Sequence, residues 1–94
     1  MMSRNAAPSS YALQQRHAFL QKYGKEAFGV LEQLDHQIKN APEEGWAIPD
    51  HRDVIMLNMK IPLKDKFILC QVAYTYNDET FSWKEFYYEE IPSA

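Results

Sequence analysis

One cysteine, three scattered glycines and no long apolar run set the first limits on this 94-residue chain. The lone Cys70 has no intramolecular disulfide partner, which fits a reducing compartment. Gly24, Gly29 and Gly45 are too far apart to form a phosphate-cradling loop, so no nucleotide cofactor is expected. No stretch approaches the roughly 20 apolar residues of a membrane-crossing helix, and Met1–Pro8 lacks the apolar middle of a signal peptide. Both absences predict a cytoplasmic protein with no membrane partner.

Excess positive charge is missing as well. Residues 1–41 carry five basic groups against three acidic ones, residues 42–94 five against ten, and the net charge is −3. Such a balance lacks the basic patch that binding a phosphate backbone needs, so nucleic acid is not the partner it points to. Arg16, Lys22 and Lys25 in the helical N-terminal part are the residues that such binding would use.

What is abundant is apolar and aromatic surface. With 46% hydrophobic and 14% aromatic residues, the chain can build one core and one domain, residues 10–94, behind a short polar tail over residues 1–9. Ser9 or Ser10 can cap a helix from about Tyr11 to Tyr23. Gly24 then either ends it before a second helix, Lys25 to Asn40, or bends a single one. Ala27, Leu31, Leu34 and Ile38 form its main apolar face, which Leu13 and Leu20 extend towards the N-terminus. Pro42 and Gly45 end the helical region, and Trp46 and Ile48 follow on a loop expected to plug one edge of the core.

From Val54 to Glu90, three runs of alternating apolar residues predict a three-stranded antiparallel meander, giving an α+β fold with the helices packed on the sheet. A loop over Pro62 to Asp65 pairs Met59 with Ile68, and a two-residue turn at Asn77-Asp78 pairs Tyr74 with Phe81. The apolar set of the last strand changes parity between Trp83 and Phe86, so one extra residue at Lys84-Glu85, a β-bulge, is expected there.

Catalytic constellations are sparse. His51 lies between carboxylates in Asp50-His51-Arg52-Asp53, but His17 and His36 sit on the helices without ligand spacing, so no metal is predicted. Cys70 falls mid-strand among apolar neighbours, where a thiol acts as a small hydrophobe. The sharper signal is the second face of the sheet. Val54, Met56, Phe67, Leu69 and Tyr87 point away from the helices and predict a surface that binds another protein or a second copy of the chain, unless the first helix wraps round to cover it. The Phe81–Tyr88 strand offers a further docking edge by strand addition. The expected role is a non-enzymatic accessory, inhibitory or immunity-type factor.

The order of elements from Val30 to Tyr88 also resembles the core of RelE/ParE-type bacterial toxins. The matching stretches are Leu31-Glu32-Gln33-Leu34, the turn Asn40-Ala41-Pro42-Glu43-Glu44-Gly45-Trp46-Ala47-Ile48-Pro49, and Val72-Ala73-Tyr74. The resemblance implies a ribonuclease activity in which Arg52, Lys60, Lys84 and Tyr87 or Tyr88 would serve. Such toxins usually open with a strand and are basic in the sheet. This chain opens with helix, and its sheet half is acidic.

Overall fold

The computed structural model describes residues 5–92. Two helices precede an antiparallel sheet: α1 spans Ser10–Tyr23 and α2 Lys25–Asn40. Strands β2 (Trp46–Ile48), β3 (His51–Leu63), β4 (Lys66–Tyr76) and β5 (Thr80–Pro92) follow. The sheet therefore has four antiparallel strands where three were expected. A two-residue strand, β1 (Asn5–Ala6), within the expected tail, adds in parallel to β5, giving the order β1-β5-β4-β3-β2.

Ser9 caps α1 by accepting a hydrogen bond from the Ala12 N–H. Gly24 separates the helices at φ +71, a left-handed conformation that side chains resist, so the chain breaks rather than bends. Along α2, Ala27, Val30, Leu31, Leu34 and Ile38 are buried, as the periodicity requires. Along α1 the buried residues are Ala12 and Phe19, with Leu20 half-buried against the core, whereas Leu13, expected on the apolar stripe, is 52% exposed. The core-facing positions between Ala12 and Phe19 hold Gln15 and Arg16. Gln15 Oε1 accepts the Phe86 backbone N–H at 2.7 Å, and Arg16 makes a paired hydrogen bond to Asp35 at 3.1 and 3.0 Å. The Arg16 guanidinium also lies 4.4 Å from the centre of the Trp83 ring. Polar groups thus occupy part of the inward stripe, each with a partner, and that weakens its apolar signature.

Both hairpin registers differ from expectation by two residues. Leu63 pairs with Lys66 and Ile61 with Ile68 across a two-residue turn, Lys64-Asp65. Pro62 belongs to the strand rather than the loop. In a two-residue hairpin the Leu63–Lys66 pair closes the ladder, so Pro62 turns its nitrogen to the free edge, where a missing N–H costs nothing. At the other end Tyr76 pairs with Phe81, and the connection is held by Asn77, whose Oδ1 accepts from the backbone N–H groups of Glu79 and Thr80, both at 2.8 Å. A shift of two leaves every side chain on its expected face because the strand period is two. The bulge stands where the parity change put it: Tyr74 pairs with Trp83 and Ala73 with Glu85, leaving Lys84 as the extra residue.

Lys64 holds the β3–β4 turn at φ +56. A left-handed conformation costs a side-chain-bearing residue about 1–2 kcal/mol, part of which glycine returns through its freer unfolded chain. The ion pair of Lys64 with Glu26, 3.6 Å apart between exposed groups, is screened by solvent and contributes little. Lys64→Gly should therefore stabilise the fold by about 0.5–1 kcal/mol, a rise of roughly 3–6 °C in Tm by calorimetry. An unchanged or lower Tm would mean the turn is not strained.

The core lies between the helices and one sheet face. Phe19, Tyr74, Phe81 and Trp83 are its largest fully buried side chains, joined by Leu34, Ile38, Ile68 and Val72. Cys70 is buried there, and burial pushes its thiol up to about 12, leaving it protonated and inert at neutral pH.

Candidate functional site

Each helix packs on the same side of the sheet, so helix one does not wrap round. Among the described residues, no segment of the chain covers the opposite face. Cross-strand rows define that face. One row is Pro62–Phe67–Ile91, the next Lys60–Leu69–Glu89, then Asn58–Gln71–Tyr87, then Met56–Ala73–Glu85, to which β2 adds Trp46 opposite Met56. Val54 lies beyond the end of the β3–β4 ladder, in the stretch of β3 between His51 and Ile55 where the pairing to β2 shifts register.

Of the five residues predicted as a partner surface, Met56, Phe67, Leu69 and Tyr87 are thus gathered on one face, and Val54 lies outside its paired rows. Leu69 is 37% and Tyr87 47% exposed, while the other three are half-buried. Trp46, the most exposed large hydrophobic residue of the face at 61%, does not plug the core as its place in the sequence suggests. It stands in a strand of three residues between Gly45 and Pro49, too short to show an alternation that separates strand from loop. Polar groups are interleaved with these side chains. The Lys60 ammonium sits 4.5 Å from the centre of the Phe67 ring. The Tyr87 hydroxyl donates to Glu85 Oε2 at 2.7 Å, and this bond to the carboxylate raises the phenol's pKa, so it stays protonated.

Strand addition has less room than the sequence suggests. The outer edge of β5 is paired to β1 at Thr80 and Phe81. Further along, Ala7 N–H and Ser9 N–H donate to Phe81 O and Trp83 O, and Gln15 takes the Phe86 N–H. With the Lys84 bulge, these contacts blunt the edge against pairing with another strand.

The remaining candidates are dispersed. Tyr88 packs on the helix side against Phe19 and Phe86, Lys84 stands in the bulge, and of the toxin-like residues whose side chains are described, Lys60 and Tyr87 share the open face, in different rows. The side chains of His51 and Arg52 lie outside the described residues. Among the described residues, no group of three His, Cys, Asp or Glu side chains is placed to hold a metal. Of the cationic residues on α1, Arg16 is bound to Asp35, and Lys22 lies over the Tyr23 and Tyr88 rings at 5.4 and 5.5 Å.

The acidic pair Glu89-Glu90 divides between the two faces. Glu90 turns to the helices and accepts a 2.6 Å hydrogen bond from the Tyr23 hydroxyl, with Lys66 Nζ at 3.6 Å. That hydrogen bond, aided by Lys66, holds the Glu90 carboxyl below its usual range, while burial and Glu90 together push the Tyr23 phenol far up. Glu89 remains on the open face beside Leu69.

No described helix is long and apolar enough to cross a membrane. Compared with protein families, curated proteins and solved structures, the chain matches none.

Proposed function

We propose that this protein works by binding another protein through the open face of its sheet, as a small accessory, inhibitory or immunity-type factor rather than an enzyme. The observation that carries this reading is the exposure of Trp46, Leu69 and Tyr87 on a face that both helices leave free. A monomer rarely leaves contiguous apolar surface in water. Aromatic groups with a polar handle, interleaved with Lys60, Gln71 and Glu89, have the composition of a binding patch rather than a core.

Simultaneous alanine substitution of Phe67, Leu69 and Tyr87 tests the reading. Affinity for the partner, measured by calorimetric titration or by mass in solution, should fall roughly a hundredfold or more, in keeping with loss of hot-spot side chains. The far-ultraviolet circular dichroism should be unchanged. Undiminished association, or loss of fold with no change in association, would sink the proposal.

A further inference from the structure

The charge pattern of the open face is self-complementary about one axis only, and from it we infer that the partner is a second copy of this chain, docked sheet on sheet. This inference rests on the reading that the open face is the interface. Lys60 on β3 and Glu89 on β5 are both exposed and flank Leu69 in a single row. When two copies pack face to face around a two-fold axis running along β4, each β3 lies over the partner copy's β5 and the rows stay in register. Lys60 then meets Glu89 of the second copy, and the symmetry makes the pair twice. Between the two pairs Leu69 meets its own equivalent, and in the next row Phe67 meets its own. Turning the axis across the strands instead places β3 on β3 and β5 on β5. Centred on the Leu69 row, that arrangement sets Lys60 against Lys60 and Glu89 against Glu89; centred one row further, it sets Glu89 against Glu85. Like charges in contact disfavour both alternatives, and an axis midway between those two rows sets Lys60 against Asn58 and Glu89 against Tyr87, so no ion pair forms.

The size of the face sets the strength. Four rows ~6.8 Å apart on the three strands β3, β4 and β5, ~4.8 Å apart, span an area of about 400 Å² per copy in projection. Two copies then bury about 800 Å², in the range of weak, transient contacts rather than of stable complexes. The dimer is accordingly weak and concentration-dependent, with Trp46 at its rim.

Charge reversal tests the inference. Sedimentation velocity of the intact chain, from low micromolar to near-millimolar concentration, should show the wild type passing from monomer to dimer. Lys60→Glu gives two facing Glu pairs and Glu89→Lys two facing Lys pairs, so each variant alone should dimerise at least tenfold more weakly. Mixed in equal amounts, the two should recover a heterodimer, because each then offers the charge that the other lacks. Both side chains are exposed, and thermal melts of the variants should match the wild type. A wild type monomeric throughout, or a mixture no tighter than its components, overturns the second-copy inference. If the triple alanine variant still loses a different partner, the broader reading survives that result. A dimer indifferent to both charge reversals and to the triple alanine variant overturns the inference and the reading together.

Discussion

Phe19→Ala should lower the free energy of unfolding by about 3–5 kcal/mol, at the upper end of what a single substitution does. Phe19 is fully buried at the centre of an aromatic cluster, with ring centres 5.2 Å from Phe86, 4.8 Å from Tyr88 and 5.0 Å from Tyr23. The contacts to Phe86 and Tyr88 are edge-on, a geometry that contributes about 0.5–1.5 kcal/mol per pair beyond buried area. It is also the largest buried side chain of α1, whose other fully buried residue is Ala12. Truncation therefore leaves a cavity and frees the helix from the sheet. A domain of this length has a total stability of only about 5–14 kcal/mol, so the variant should be marginal at 37 °C. Urea unfolding followed by circular dichroism measures the loss, and Phe19→Leu, which keeps apolar volume, should recover much of it. A loss below about 1 kcal/mol would mean that α1 is not docked on the sheet as described.

Gly45→Ala should also be damaging, although it adds only one methyl group. At φ −75 the backbone of Gly45 suits any residue, so the demand for glycine is spatial. A Cβ there would overlap Ile55 Cγ2 and lie 2.8 Å from both Met56 O and the Tyr74 hydroxyl. Neither oxygen can yield easily. Met56 is in the ladder, and the buried Tyr74 hydroxyl donates to Pro42 O at 2.5 Å, with burial pushing its phenol up to about 12. Overpacking of this kind costs about 1–3 kcal/mol, and the strain falls on β2, which carries Trp46. The expected result is a fall in Tm of roughly 5–15 °C with a changed tryptophan emission from the open face. Gly29→Ala is the control, since nothing lies within 4 Å of the position its methyl group would take. Within α2 that change should stabilise by about 0.5–1 kcal/mol. Equal effects of the two alanines would refute the close approach at Gly45.

Helix-two burial, the parity of the three long strands and the bulge at Lys84 follow from local pattern, and all are found. Leu13 misled for a physical reason. The inward stripe of α1 is completed by Gln15 and Arg16, whose polar ends are satisfied by the Phe86 N–H and Asp35, partners 71 and 19 residues away. Nothing near them in the chain announces those bonds. Pro62 misled likewise, since proline reads as a loop signal until an adjacent free edge makes its missing N–H harmless.

The open face was legible in part. Alternation along β3, β4 and β5 put Phe67, Leu69 and Tyr87 together without any knowledge of register, because a slip of two residues preserves facing. Which residues stand side by side is a different matter. Lys60, Leu69 and Glu89 share a row only because the Lys64-Asp65 turn takes two residues and the Lys84 bulge one, choices made by turn conformation and core packing at once. The same holds for Trp46, which joins the face through pairing with Met56, and for the side of the sheet that α1 covers, settled by Phe19 docking on Phe86 and Tyr88. Sequence by itself determined the class of fold and the two-faced character of the sheet, since both arise from periodicity within single elements. Only the tertiary structure decided which face stays open and which charges share a row on it, because those depend on contacts between residues far apart in the chain.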